Sequence, residues 1–382
     1  MAERVYLDWN ATAPLRHEAR VAVGEALALT GNPSSVHAEG RALRRLMEEA
    51  RTQVATLVGA EPKDVTFTSG ATEANMLALT PALEIAGGNG FRDRLFVSAI
   101  EHPSVRSGGR FASNNIEELA VTSEGVIDLA KAALAIQRAK CPLVSVMLAN
   151  NETGVIQPIA QLAELVHAAR GILHVDAVQG PGRLSCDMET LGADLLSVSS
   201  HKIGGPQGIG ALIVRSDIHI AEPLIKGGGQ ERGLRAGTEN VAAIAGFGEA
   251  ARATITTDRM DRLRRKLEEG ILAVAPDAII FGASVPRLAN TTLFAVPGIK
   301  AETAIIGFDL NGIAISSGSA CSSGKVRPSS VLEAMGVDPG LTRGALRISL
   351  GWSTTEADID RFLETWKELA GSLLKERRGI AA

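Results

Sequence analysis

The sequence predicts an α/β protein, with a large domain on a mainly parallel sheet and a smaller α+β domain after it. Three observations carry this. The 382 residues exceed the roughly 250–300 at which a single hydrophobic core stops growing, so two domains are expected. Short continuous apolar runs alternate with helical patterns from residue 35 to residue 250, which is how parallel strands covered on both faces read. From Asp258 onward the rhythm changes to a charged helix, separated strand-like segments and a closing helix.

The elements follow in order. Val36, Leu43, Met47, Ala50, Val54 and Leu57 recur at helical spacing and Gly59 follows them, so an amphipathic helix with a glycine stop is expected. Apolar runs come next at Val65–Phe67, Leu95–Val97, Leu143–Leu148, Ile172–Val175 and Leu195–Val198. Met260, Leu263, Leu267 and Ile271 then mark the helix that leaves the first domain. Strands are expected at Asn290–Val296, Gly312–Ser316 and Leu346–Leu350, and Ile359, Phe362, Trp366, Leu369 and Leu373 form the apolar face of the last helix.

Bulk properties exclude several classes. Hydrophobic residues at 45% and charged residues at 21% are ordinary globular values. A net charge of -4 gives no reason to expect nucleic acid or an anionic membrane as partner. The start, Met1-Ala-Glu-Arg-Val-Tyr-Leu-Asp8, lacks the features of a secretory signal, and no apolar stretch reaches the roughly 18–20 residues of a membrane span. A cytoplasmic protein is expected. Cys141, Cys186 and Cys321 are far apart and form no C-x-x-C, so neither a disulfide framework nor a metal site is expected.

Each apolar run of the first domain is followed by polar groups. Thr68-Ser-Gly70-Ala71-Thr72, Glu101-His102, Asn150-Asn151-Glu-Thr, Asp176-Ala-Val-Gln179 and Ser199-Ser-His201-Lys202 stand at five successive strand ends. Ligands of open parallel sheets bind beyond those ends, so one shared site is expected there. Ser69 to Thr72 opens a helix, whose free N–H groups suit an anion. Asp176 suits a cationic ring nitrogen. Lys202 stands before Gly204-Gly205, where the backbone must turn tightly. A phosphate cradle, a carboxylate for a ring nitrogen and a lysine describe a pyridoxal 5'-phosphate site.

The motifs Ser199-Ser-His-Lys-Ile-Gly-Gly-Pro206, His174-Val-Asp-Ala-Val-Gln179, Ala149-Asn-Asn-Glu-Thr-Gly154 and Gly227 to Asn240 resemble the cysteine desulfurases of the NifS/IscS type. These belong to the aminotransferase class V group and have the fold type I architecture of pyridoxal-phosphate transferases. Asn32–His37 and Ser316–Gly324 extend the likeness over nearly the whole chain. The resemblance implies a large cofactor-binding domain at 15–257 and a small domain of 1–14 with 258–382, carrying the catalytic cysteine loop at about 316–330. It further implies that Lys202 attaches the cofactor, that His102 stacks on its ring and assists proton movement, and that Asp176 and Gln179 bind ring nitrogen and phenolic oxygen. Gly70, Ala71, Thr72, Ser199 and His201 would hold the phosphate, with Thr238 reaching it from the other subunit of a homodimer. Asn151 and Arg347 would hold the carboxylate of L-cysteine, Arg347 through its forked donors.

Cys321 lies in the small, polar segment Ser316-Ser-Gly-Ser-Ala-Cys-Ser-Ser-Gly324 and is the expected acceptor of sulfur, while Cys141 and Cys186 read as structural thiols. The products would be L-alanine and a persulfide on Cys321, passed to a sulfur-acceptor protein of iron–sulfur assembly or of a sulfur relay. Gly318 to Lys325 has five residues between its glycines and ends in Val326, so it is no P-loop. The rival readings are a selenocysteine lyase, a kynureninase or a transaminase of the same fold, and a catalytically silent scaffold.

Overall fold

The computed structural model describes residues 4–86, 91–254, 259–317 and 328–380, with side chains described up to residue 374. The chain opens with β1 (Val5–Tyr6), α1 (His17–Leu27) and α2 (Ala38–Leu57). Then follow β2 (Val65–Thr68), α3 (Ala71–Ala78), β3 (Leu83–Ile85), β4 (Arg94–Ser98), α4 (Pro103–Arg106) and β5 (Ile116–Leu119). The expected alternation continues as α5 (Leu129–Ile136), β6 (Pro142–Met147), α6 (Ile159–Ala168), β7 (Ile172–Asp176), α7 (Met188–Leu191) and β8 (Leu195–Ser199). It closes with β9 (Gly210–Val214), β10 (Ile218–Ile220) and α8 (Val241–Arg252).

Seven strands form one sheet in the order β2-β9-β8-β7-β6-β4-β5. The pairs from β8 to β5 are parallel, while β9 runs antiparallel to both β8 and β2. Two reversals restore the direction, so β2 points the same way as β8 despite lying beyond β9. The carboxyl ends of β2, β4, β6, β7 and β8 therefore share one edge, as the polar sequence endings required. One expectation is corrected at its start: Val36 lies before α2 and is 86% exposed, because His37 caps that helix by accepting from Gly40 N.

The remaining chain builds α9 (Arg259–Val274), β11 (Ile279–Ile280), β12 (Thr291–Ala295), α10 (Ala301–Leu310) and β13 (Ile313–Ala314). After it come α11 (Ser330–Ala334), α12 (Pro339–Thr342), β14 (Leu346–Ser349) and α13 (Glu356–Ile380). Strands β11, β12 and β14 form an antiparallel sheet. Strand β13 pairs instead with β1, in parallel. The N-terminal strand is thereby threaded between β13 and β14, with Leu7 N donating to Ala314 O and Ser349 N to Leu7 O. Leu267, Ile271, Phe294, Phe308, Phe362 and Trp366 bury each other in this part, and Val5 and Leu7 join them. The faces expected for the two helices are the ones that pack.

Three polar residues inside the apolar runs find one another. Ser145 of β6, His174 of β7 and Ser197 of β8 are buried, and the imidazole makes hydrogen bonds of 2.8 Å to Ser145 Oγ and 2.9 Å to Ser197 Oγ. Burial pushes His174 down to about 4, so the ring is neutral in the folded protein.

An unfolded chain takes up this proton near pH 6.5, and the native one only near 4. Above 6.5 neither state binds it. Between those values only the unfolded state does, so stability falls as pH falls, by roughly 3 kcal/mol in all from this residue. Urea midpoints measured from about pH 7 to 4 should drop less steeply in His174→Gln than in the wild type. An unchanged slope would refute the assignment.

Candidate active site

At the shared strand edge lies a cavity of about 640 Å³. Gly70, Ala71, Thr72, His102, Asn151, Asp176, Gln179, Ser199, His201, Lys202 and Arg347 all line it. Asp8 and Arg347, 339 positions apart in sequence, meet there. The strand ends of the large sheet bring most of these residues to one edge, and β14 of the smaller sheet brings Arg347. Two expected residues do not join them. Thr238 is exposed and outside this cavity, and Cys321 lies outside the described residues.

Lys202 sits at the end of a single 3₁₀ turn (Ser200–Lys202) directly after β8. Gly204 makes the following reversal possible, since its φ is 80° and a Cβ there would meet Trp352 at 2.4 Å and Pro14 O at 2.9 Å. The Lys202 amine donates to Asn10 O at 2.6 Å and Ala11 O at 2.9 Å, and no carboxylate pairs with it among the described residues. Desolvation, with the positive fields of Arg347 and Arg183, lowers Lys202 to about 7. A sizeable fraction is thus a free, nucleophilic amine near neutrality.

Helix α3 begins at the cavity wall with Gly70 at φ 154° and no side-chain cap, leaving its first N–H groups free for an anion. His201 stands beside it, its Nδ1 3.1 Å from Thr12 Oγ1, and burial with the Lys202 charge lowers it to about 4. Asp176, at the end of β7, accepts from Asn75 Nδ2 at 2.9 Å and Val178 N at 3.1 Å. Gln179 donates to Asn10 O at 3.0 Å, and Arg183 donates to the Gln179 side-chain oxygen. Arg347 is buried, donates to Asp8 Oδ1 at 2.6 Å and Asn151 O at 2.9 Å, and its Nε has no partner among the described residues.

The Gly227–Asn240 segment is anchored away from the cavity. Glu231 and Arg232 have φ of 45° and 57°, a left-handed conformation that costs a residue with a Cβ. The buried Arg51 guanidinium holds that turn by a double contact to the Glu231 carboxylate, both at 2.8 Å, and Phe67 N donates to the same carboxylate.

Several residues of the site were not found from sequence. Asp8 and Asn10 follow a strand of two residues, too short to show a period. Asn75 lies three positions after Thr72 on α3, a spacing that put it on the same helix face and could have shown it. Ser104 and Arg183 carry no local signal.

The donor set fits a phosphorylated aldehyde. It offers an uncapped helix start for an anion, an amine of lowered pKa for a carbonyl, and a carboxylate at the end of β7 that lines the same cavity. The chain's sequence matches the aminotransferase class-V family model over residues 5–362. It is 41% identical to the cysteine desulfurase of Cereibacter sphaeroides over 97% of each chain. Its structure is similar to that of a NifS-like protein from Rickettsia africae, with TM-score 0.86, 37% identity, and coverage of 96% of this chain and 99% of the other. It is also similar to a solved structure of SspA in complex with cysteine, with TM-score 0.77, 29% identity, and coverage of 91% and 98%.

Two outcomes check the geometry. The rate at which Lys202 is acylated in the protein freed of any carbonyl ligand should level off through about pH 7, well below the roughly 10.4 of exposed lysines. Peptide mass mapping reads this, and a profile matching the exposed lysines would contradict it. Asn10→Ala, which strips the bonds to Asn151 O, Thr291 and Asn290, should cost about 2–3 kcal/mol in denaturant unfolding.

Proposed function

We propose that this chain, which belongs to the class-V aminotransferase family and within it to the cysteine desulfurases, converts L-cysteine to L-alanine and moves the sulfur to Cys321. The observation that carries this reading is the Lys202 amine, held near neutrality in the same cavity as the helix start at Gly70 and the Asp176 carboxylate. We assign pyridoxal 5'-phosphate to that cavity, with Lys202 attaching it. Gly70, Ala71, Thr72, Ser199 and His201 would hold its phosphate, and Gln179 and Asp176 its phenolic oxygen and ring nitrogen. When bound, the group supplies a protonated ring that accepts electron density from the substrate Cα.

The residues of the chain do the rest. Arg347 and Asn151 bind the substrate carboxylate; the Arg347 guanidinium, already gripped by Asp8 and the Asn151 carbonyl, presents its fork without needing to be ordered. Lys202, as the free amine, takes the proton from Cα and later returns a proton toward the product. The Cys321 thiolate attacks the substrate sulfur and the Cβ–S bond breaks. Its electron pair stays on Cβ, which takes a proton and becomes the alanine methyl group. Thiolate, cysteine and one proton thus become persulfide and alanine. Ser316 supports this placement of Cys321: it lines the cavity five positions earlier and pairs with Arg347 through both backbone groups.

The persulfide would be emptied by a sulfur-acceptor protein. We place the division between domains at 15–257 against 1–14 with 258–382, supported by the cluster that joins Val5 and Leu7 to the α9 and α13 faces. Thr238 is exposed and outside its own cavity, which suits a part in the site of a second copy, and hence a homodimer. No described helix is long and apolar enough to cross a membrane. A cytoplasmic location is part of the same proposal.

Alanine and sulfide released from L-cysteine, with reductant and without added keto acid, test the reading. Wild-type protein should release both in equal amounts. Cys321→Ala and Lys202→Ala should each lose turnover by a factor on the order of 10³. Alanine formed only with a keto acid, or full turnover in Cys321→Ala, would refute it.

A further inference from the structure

Asp176 and His102 belong to the site described above, yet two residues between them carry no assigned role. Asn75 is fully buried on α3, and Ser104 lies in the first turn of α4. Asn75 Nδ2 is 2.9 Å from Asp176 Oδ2 and 3.0 Å from Ser104 Oγ. Ser104 Oγ is in turn 2.8 Å from His102 Nδ1, and Ser104 N donates to the same nitrogen at 3.2 Å.

The direction of this chain follows from its first link. The Asp176 carboxylate also receives Val178 N–H, so it is an acceptor, and the Asn75 atom against it must be the NH₂. Turning the amide over would set oxygen against oxygen. The Asn75 Oδ1 is left buried without a partner among the described residues, a cost that the two bonds from Nδ2 offset. With one N–H on Asp176, the second points at Ser104 Oγ and makes it an acceptor. The Ser104 hydroxyl proton is then free to point at His102 Nδ1. Backbone N–H and hydroxyl thus both donate to Nδ1, so the ring proton belongs on Nε2.

We propose that Asn75 and Ser104 are positioning residues that transmit the acceptor character of Asp176 to His102. They fix its neutral, Nε2-protonated tautomer, so that His102 faces the cavity as a hydrogen-bond donor and not as a base. The inference rests on the reading of His102 as a cavity-facing residue of the proposed reaction, and it narrows that role. Protonating Nδ1 would require Ser104 to reverse its hydroxyl and the backbone N–H to lose its acceptor. The charged groups facing His102 are Asp176 from β7 and Lys202 after β8, and their effects oppose one another while burial lowers its affinity for a second proton.

Imidazole ¹⁵N–¹H correlation spectra of the histidine-labelled protein, taken without cofactor and again with it, provide the test; His102→Gln assigns the signal. The wild type should show His102 protonated at Nε2 and bare at Nδ1. In Ser104→Ala the titration midpoint of His102 should rise by about half to one pH unit, with the Nδ1–H tautomer emerging, and Ser104→Thr should restore both. Asn75→Ala should move His102 in the same direction, although it does not touch the ring. A wild-type proton on Nδ1, or an unchanged tautomer and midpoint in Ser104→Ala, overturns the proposal. Failure of the desulfurase reading would appear in alanine release and leave these spectra as described.

Discussion

The joint on which the site depends is Asn10. It is 1% exposed, and every polar group it owns is used. Its backbone N–H donates to Ser349 Oγ, and its amide nitrogen to Asn151 O and Thr291 Oγ1. Its side-chain oxygen accepts from Asn290, and its backbone oxygen from both Lys202 and Gln179. Strands β12 and β14, the turn after β6, the turn after β7 and the lysine after β8 therefore meet at one residue. Each bond contributes only about 1 kcal/mol net, but leaving any of these buried groups unpaired costs more than that. Arg347 on β14 and the lysine after β8 are held in register by this residue.

Charge is arranged around the joint in a way the net charge of -4 conceals. Lys202 and Arg347 line the cavity, and desolvation, with the positive fields of Arg347 and Arg183 added to it, pulls Lys202 down. Asp8 neutralises part of Arg347 without touching the lysine amine. The result sets two different side chains in one cavity: an arginine with its fork of donors at Arg347, and at Lys202 an amine that can give up its proton. An arginine is suited to forked donation because it does not deprotonate, and a lysine to proton transfer because it does.

The crevice was legible in sequence because a parallel sheet forces it. Continuous apolar runs ending in Thr68, His102, Asn151, Asp176 and Lys202 can share a site only if the strands point one way, and they do. What stayed hidden depended on chain reversals that have no periodic signature. Strand β9 inserts antiparallel between β2 and β8, an order that no local pattern encodes. Strand β1 has two residues, so the segment holding Asp8 and Asn10 shows no periodicity at all. Val36 fits the helical stripe by spacing yet lies outside the helix, because the cap at His37 decides where α2 begins. The serines and histidine inside three apolar runs read as interruptions, and only the register of β6, β7 and β8 turns them into a bonded group.

A second carboxyl group near Asp176 shows how the site keeps its charges apart. Glu101 is buried at the end of the β4 turn, accepting from Ser98 Oγ at 2.6 Å and Met147 N at 2.8 Å on one oxygen. Its other oxygen has no partner among the described residues. Burial, helped by the Asp176 charge, pushes Glu101 up to about 8. Two adjacent anions in this setting would cost far more than the bonds they accept, so one carboxyl must hold a proton. Burial and the Asp176 charge put that proton on Glu101, which has no donor to Oε2 among the described residues, whereas both oxygens of Asp176 accept a hydrogen bond. The Asn75 amide that donates to Asp176 also begins the chain toward His102, so one buried asparagine joins the two sides of the site.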